Sequence, residues 1–472
     1  MSSHRFVLGI ALLAFLVSGP RPIEAQETET VPGVTLGLVY ENEYVPPLAI
    51  LPFEDLAGGA AVAPAVQAIV GRDLRYSDRF AVVDSLPVGF SAQGVDYGLW
   101  DQFGADWVLT GTISDADEGY LLEVVLHDIV FSSVKQQARF DLPSQDEEGF
   151  RMAVHRASDA VVEWVFGEPG MAATRIVFTM RPPGDETSKE VYAIDSDGEN
   201  LQRLTWDANT VASPAWSPDG TKVLYSSWKS GRPTIYERDL VSDRERVLEP
   251  NRAGQQITPA YHPDGNQIAF ALLGGGRSGL FSFNLTDGCC LSHLSGGRYK
   301  DLQPTFSPNG RRIAFVSSRL GTGTPQIYVM PSDGGEAELL SPYRFGEGGW
   351  FADPDWSPRG DRVTFSGRIH GQRSPRYHIL VADVQTGDSR LVQLTREGNN
   401  EDPSWAPDGR HIVFTGARSW GRGVFIVDSA TGTLRTLIGG VAAEDTDWSP
   451  LLGQSALVRE AQSSDGRDPA AR

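Results

Sequence analysis

Between residues 214 and 409 one short pattern returns five times: Pro214-Ala-Trp-Ser-Pro-Asp-Gly220, Pro259-Ala-Tyr-His-Pro-Asp-Gly265, Pro304-Thr-Phe-Ser-Pro-Asn-Gly310, Pro354-Asp-Trp-Ser-Pro-Arg-Gly360 and Pro403-Ser-Trp-Ala-Pro-Asp-Gly409. A shortened sixth copy, Thr446-Asp-Trp-Ser-Pro450, closes the series. The second prolines stand at 218, 263, 308, 358, 407 and 450, in steps of 45, 45, 50, 49 and 43 residues. A period of that length fits one four-stranded propeller blade.

The chemistry inside each unit is that of strands joined by tight turns. Pro-Asp-Gly and Pro-Asn-Gly are turn sequences in which glycine can take φ > 0. An alternating run follows each turn, as in Lys222-Val-Leu-Tyr-Ser, Arg312-Ile-Ala-Phe-Val and His411-Ile-Val-Phe-Thr. A third run such as Gln326-Ile-Tyr-Val-Met330 and a fourth such as Arg390-Leu-Val-Gln-Leu394 complete the unit. Proline is tolerated only on a sheet edge, so the prolines flanking the aromatic residue place that strand innermost, against the central channel. The aromatics Trp216, Tyr261, Phe306, Trp356, Trp405 and Trp448 are then expected to pack between blades. Arg175-Ile-Val-Phe-Thr179 matches the second strand of a unit and leads through Val191–Asp195 to Gln202–Thr205. Three strands start the array and Thr446–Pro450 supplies the fourth, so the ring closes as six four-stranded blades with a composite first blade.

Ahead of the repeats the rhythm changes. Residues 48–167 read as a small α/β domain. Leu48-Ala-Ile-Leu-Pro-Phe53 is a buried-strand run, and Ala63–Ser77 is apolar at helical spacing through Val66, Ile69, Val70 and Leu74. Further strands are expected at Phe80–Asp84, Trp107–Gly111, Tyr120–Val130 and Val134–Leu142, and an amphipathic helix at Glu147–Phe166. The joint to the propeller (171–452) is Gly167-Glu-Pro-Gly170. Phe6–Val17 is an uncharged apolar run of 12 residues broken by Pro20 and Pro22, too short to span a bilayer, and it reads as a signal peptide ending near Ala25. Residues 26–47 form the mature N-terminal segment, and 453–472 a polar tail expected to be disordered. The formal net charge is −20, with Lys+Arg 41 against Asp+Glu 61. Such a surface repels phosphate backbones and anionic headgroups, so neither nucleic acid binding nor membrane insertion is expected.

The chain resembles the TolB family, the periplasmic component of the Tol-Pal envelope system of Gram-negative bacteria. The likeness covers roughly residues 35–452. It rests on Ala49-Ile-Leu-Pro-Phe53, Asp73-Leu-Arg-Tyr-Ser-Asp-Arg-Phe80, Phe103-Gly-Ala-Asp-Trp-Val-Leu-Thr-Gly111, His155-Arg-Ala-Ser-Asp-Ala160 and the ending Asp447-Trp-Ser-Pro-Leu-Leu452. The resemblance implies a monomeric, non-catalytic scaffold in the periplasm, supporting outer-membrane integrity and invagination during cell division. It implies a propeller that binds the peptidoglycan-associated lipoprotein Pal and an N-terminus that docks on TolA, here through Val34, Leu36 and Leu38. Family members begin almost directly with a strand, whereas this one opens on the acidic Gln26-Glu-Thr-Glu-Thr-Val-Pro32.

The loop entering each innermost strand lies at one end of a propeller's channel, so the residue before each Pro-x-aromatic unit is expected to face that mouth. Those residues are Ser213, Thr258, Gln303, Asp353, Asp402 and Asp445, a neutral arc facing an acidic one. Gln256 and Ile257 are expected to extend the neutral side, Asp301 to lie at the boundary, and Glu401 and Glu444 to thicken the acidic side. The resemblance puts Pal on this face. The plainer reading is that the aspartates cap their own turns. A bound cation would also suit them, though no ligand spacing singles one out.

An exported carbohydrate-binding or carbohydrate-cleaving propeller is the competing reading. Gly89-Phe-Ser-Ala-Gln93 misses the G-x-S-x-G pattern at its last glycine. The eight histidines form no H-x-H or H-x-x-x-H, and His262 and His411 read as ordinary turn and strand residues. Asp195-Ser-Asp-Gly-Glu-Asn200 lacks the third acid and closing glutamate of a calcium loop. No catalytic residue, metal or cofactor is therefore expected. Cys289 and Cys290 are adjacent, and two free thiols are expected because a bond between neighbours closes a small ring.

Overall fold

The computed structural model describes residues 30–31, 34–37, 44–57, 62–83, 94–147, 149–248, 254–296, 298–342, 349–368, 376–384 and 391–453. The expected signal segment, Leu38, the Gly89–Gln93 run and the tail past residue 453 lie outside them.

Residues 47–166 build a mixed sheet in the order Ala81–Val83, Pro47–Ile50, Trp107–Asp115, Tyr120–Asp128, Ser133–Leu142. The first two junctions are parallel and the others antiparallel, and Glu54–Asp55 also pairs with Trp107–Asp115. Helix α1 (Val62–Tyr76) turns Val62, Val66, Ile69, Val70 and Leu74 inward. These join Leu48, Ile50, Leu109, Leu122, Val124 and Leu126 of the sheet and Val154, Val161 and Val162 of a C-terminal helix, Gly149–Phe166, in one core. A short helix that the sequence reading did not anticipate, α2 (Tyr97–Phe103), starts where Asp96 Oδ1 accepts from Leu99 N (3.1 Å) and stops at Gly104 with φ 84°. The Gly149–Phe166 helix is α3. Its Asp159 receives the backbone N–H groups of Ala172 and Ala173, both at 2.8 Å, and so pins the start of the propeller. A Cβ at Gly170 would collide with that carboxylate, which is why the joint carries glycine there.

The propeller has six blades of four antiparallel core strands. Blade 1 is composite: Arg175–Met180, Glu190–Asp195 and Gln202–Arg203 take Glu444–Trp448 as their innermost strand, in register Asp447↔Val177 and Trp448↔Ile176. Blades 2 to 6 begin with the inner strands Val211–Trp216, Gln255–Tyr261, Asp301–Phe306, Trp350–Trp356 and Asn399–Trp405. The turn glycines 220, 265, 310, 360 and 409 all take φ between 64° and 75°. The six aromatics pack between blades. Trp405, for example, lies with Ile379 and Val381 of blade 5, and Trp448 with Val413 and Val424 of blade 6. Phe178, Phe270, Phe315, Phe365 and Phe414, one from the second strand of each blade but blade 2, are fully buried beside them. Each such ring stabilises the fold by about 1.5–3 kcal/mol relative to exposure.

Two features depart from expectation. Blade 5 is widened on its outer edge: Val34–Gly37 lies parallel to Leu391–Gln393 (Leu36↔Leu391), and Thr30–Val31 pairs outside it. Part of the segment expected to dock on a partner thus pairs with its own propeller. Cys289 and Cys290, expected as free thiols, are joined to one another. Successive strand side chains normally face opposite sides. Here the pairing slips between Ser282 and Asn284, and Cys290 takes φ 63°, so the alternation that would separate the two sulfurs is broken.

Candidate functional site at the channel mouth

Each innermost strand carries a bulge at the same place. The pairing of first and second strands slips between Ala212 and Ala215, Ile257 and Ala260, Leu302 and Thr305, Ala352 and Asp355, Glu401 and Ser404, and Glu444 and Asp447. In every case the residue in the bulge is left-handed: Ser213 (φ 52°), Thr258 (51°), Gln303 (51°), Asp353 (54°), Asp402 (54°) and Asp445 (56°). Such a φ is uncommon for any residue but glycine and rare for a β-branched one, so its sixfold recurrence is a built feature. The bulge re-aims these side chains into a common funnel of about 140 Å³, lined also by Pro214, Pro259, Pro304, Pro354 and Pro403. Gln256, Ile257 and Asp301 do not line it. Gln256 and Asp301 stand two residues earlier, at the position where Val211, Phe351, Asn400 and Ala443 are also buried, and Ile257 packs against the blade 3–4 core. Strand alternation sends Gln256 and Ile257 to opposite faces of the blade, Gln256 toward blade 2, where its Oε1 accepts from Ile235 N (3.3 Å), and Ile257 toward blade 4.

The six mouth residues are tied to one another across the blades. Gln303 N donates to Thr258 Oγ1 (3.1 Å), Asp353 N to Gln303 Oε1 (3.2 Å), Asp402 N to Asp353, Asp445 N to Asp402 Oδ2 (3.0 Å) and Ser213 N to Asp445. Five of the six side chains, all but that of Ser213, thus cap the backbone of the next blade and not their own turn. The acidic arc has further support: Ser366, Thr415 and Thr179 on the adjoining second strands donate to Asp353 (2.5 Å), Asp402 (2.9 Å) and Asp445 (3.2 Å). Two further aspartates, each two residues along its strand, bridge blades in the same way. Asp447 Oδ2 accepts from Trp216 N and Asp355 Oδ2 from Trp405 N, both at 2.7 Å.

Burial raises the proton affinity of all five channel aspartates. It carries Asp355 to about 6 and Asp447 to about 8, against the opposing backbone donors. Asp353, Asp402 and Asp445 are also raised, by burial first and then, for Asp402, by repulsion from Asp353 and Asp445 and, for Asp445, by repulsion from Asp353 and Glu444. A cationic group entering on the acidic side would offset that repulsion. Lys189 pairs with Glu444 at the rim.

The family model described as the TolB beta propeller domain matches residues 162–452, and that of the TolB amino-terminal domain matches residues 38–134. The chain belongs to the TolB family. Tol-Pal system protein TolB of Albidiferax ferrireducens is 30% identical over 230 residues, which are 48% of this chain and 50% of that protein. Tol-Pal system protein TolB of Nitrosomonas europaea is 34% identical over 212 residues, 44% of this chain and 47% of the relative. The chain spans about half the length of the relatives it matches. The crystal structure of TolB from Acinetobacter baumannii superposes with a TM-score of 0.73 at 24% identity, covering 86% of this chain and 97% of that one, a likeness of fold.

Beyond the mouth, this TolB-family chain holds polar residues whose importance the sequence reading missed. His155 Nδ1 lies 2.8 Å from Asp73 Oδ2, which also accepts from Ser158 Oγ (2.7 Å), and all three are buried. His411, read as an ordinary strand residue, is buried with Nδ1 at 2.6 Å from Asp408 and Nε2 at 3.2 Å from Asp78 of the α/β domain. A signal for the first was present: His155, Ser158 and Asp159 put three polar groups on the face of α3 that also carries Val154, Val161 and Val162. Polar groups on a buried face demand partners. One partner of His411, Asp408, is three residues away, but the other, Asp78, is 333 residues away, and no local pattern announces it.

Proposed function

We propose that the chain is a periplasmic scaffold of the Tol-Pal system, without catalysis, whose channel mouth receives a Pal-like lipoprotein and whose N-terminal segment docks a TolA domain. The observation that carries the reading is the pairing of a TolB amino-terminal domain with a TolB propeller in one chain. The mouth adds a shaped target: a half-buried acidic arc of Asp353, Asp402 and Asp445 facing the neutral Ser213, Thr258 and Gln303. Complementary charge raises the encounter rate and selects the partner more than it raises affinity. A partner with a basic patch beside an uncharged one fits that surface.

Docking of TolA by Val34, Leu36 and Leu38 would use the same stretch that pairs with Leu391–Gln393. Adding a strand to a partner's sheet uses main-chain hydrogen bonds, and a strand edge can satisfy one neighbour at a time. The two pairings compete, so TolA docking includes release from blade 5. The test is binding of the purified chain to a purified Pal-like lipoprotein and to a TolA C-terminal domain, with turnover of oligosaccharides measured alongside. Binding of the lipoprotein at the mouth upholds the reading; sugar turnover without it favours a carbohydrate-active propeller.

A further inference from the structure

The α/β domain meets the propeller through the end of α1 and through α3, and two contact points there share an unusual construction. At the first, His155 of α3 has a carboxylate of its own domain, Asp73, on Nδ1. Its Nε2 is buried without a hydrogen-bond partner and faces Asp197 Oδ2 of blade 1 at 4.0 Å. At the second, His411 of blade 6 has Asp408 of its own domain on Nδ1 and faces Asp78 Oδ2 of the α/β domain at 3.2 Å. Both imidazoles are fully buried. Each is thus held between one carboxylate from its own domain and one from across the seam, and the donor that would satisfy both carboxylates at once is an imidazolium, with two N–H groups.

We propose that this seam is a proton-locked joint, in which His155 and His411 are both imidazolium ions whose protons, added to the permanent bridges from Arg72 and Arg151 to Asp197, make the α/β domain and propeller unfold as one body. The surrounding charges agree. Around His155 stand Asp73, Asp159, Arg72 and Arg151 from the α/β domain and Asp195, Asp197, Arg175 and Arg435 from the propeller. Around His411 stand Asp78 from the α/β domain and Asp408, Asp428 and Arg410 from blade 6. Arg410 also donates to the backbone carbonyl of Asp78 (3.3 Å). Arg72 and Arg151 on Asp197, and Arg410 on Asp428, already supply positive charge at each carboxylate cluster, which disfavours a divalent metal there. Burial pulls both histidines down, but the facing carboxylates outweigh it and hold each at about 9.

A group bound more tightly by its proton in the folded than in the unfolded chain contributes fully below its ordinary value, about 6.5, and loses that contribution as pH rises through its folded value. The joint is therefore locked at pH 6.5 and unlocked near 9.5. The test uses the full chain with ¹⁵N-labelled histidine, His155→Gln and His411→Gln serving only to assign the two resonances. Both imidazoles are expected to stay protonated to about pH 8 and to titrate near 9. Scanning calorimetry is expected to pass from one cooperative transition at pH 6.5 to two, one per domain, at pH 9.5. The variant Asp78→Asn removes the cross-seam charge on His411 and leaves the Arg72 and Arg151 bridges to Asp197 intact; it should lower the His411 titration by at least one pH unit and bring the split into two transitions to lower pH. Neutral imidazoles at pH 6.5 in the parent, or a single transition at both pH values, overturn the proposal even if the variant fails to fold.

Discussion

Replacing Trp448 by alanine attacks the propeller where its two chain ends meet. The side chain is 5% exposed in the apolar cluster shared by blades 6 and 1, with Ile176, Phe178, Val413 and Val424. Its indole N–H donates to Thr174 Oγ1 at 2.8 Å. Phe or Trp to Ala in a core costs about 3–5 kcal/mol, and the lost hydrogen bond adds about 1 kcal/mol. Against a net stability of about 5–15 kcal/mol that is a large share. For a large domain each kcal/mol moves Tm by roughly 2–4 °C, so the melting temperature should fall by roughly 10 °C or more. The control is Trp420→Ala, at a hairpin tip and 60% exposed, which should stay within about 0.5 kcal/mol of the parent. Both are read by calorimetry at pH 7, alongside a chain ending at Gly440, which should lose cooperative unfolding of the propeller altogether. If Trp448→Ala melts with Trp420→Ala, the closing strand does not hold the ring and the composite blade carries no special burden.

Converting Asp353, Asp402 and Asp445 together to asparagine keeps every backbone acceptor at the mouth and suits the left-handed φ, so the fold should persist. Association with a Pal-like lipoprotein should slow and lose its salt dependence, measured by stopped-flow at two ionic strengths. Because burial raises the Asp447 carboxyl to about 8, its ionisation opposes the folded state: stability falls as pH climbs from the ordinary carboxylate range through 8. The advantage of Asp447→Asn over the parent in Tm should accordingly grow from pH 4 to pH 8 and then level off. Deleting residues 26–39 should abolish binding to a TolA C-terminal domain in titration calorimetry, while the propeller keeps a cooperative transition lowered only by the loss of the edge strand on blade 5.

The ring of blades was legible because each unit repeats its turn glycine, its edge prolines and its interblade aromatic, so one register error would have shown as a conflict among six copies. The mouth residues followed from the same register, and their shared left-handed φ agrees with it. What the register could not convey was direction. Strand alternation buries Gln256 and Asp301, and only the bulge turns their successors into the channel. Thr179, Ser366 and Thr415 carry hydroxyls where blades 3 and 4 carry Ala271 and Val316, but the neutral blade 2 carries Ser226 there, so the hydroxyl alone does not mark the acidic arc. The pairing of His411 with Asp78 and the docking of Val34–Gly37 on blade 5 depend on contacts between distant parts of the chain, and no periodicity reports those.

The composite blade also sets a clock. Arg175 N bonds to Ser449 Oγ, 274 residues later. At about 5–20 residues per second of synthesis, the first three strands of that blade wait roughly 15–50 s for the fourth. Through that interval the inner edge of Arg175–Met180 presents unpaired backbone beside a fully buried-type apolar face, a template for pairing with any other extended chain. The vulnerable period of this protein is therefore its biogenesis: mutations that slow arrival of Glu444–Trp448 should lower yield more than they lower the melting temperature of the molecules that do close.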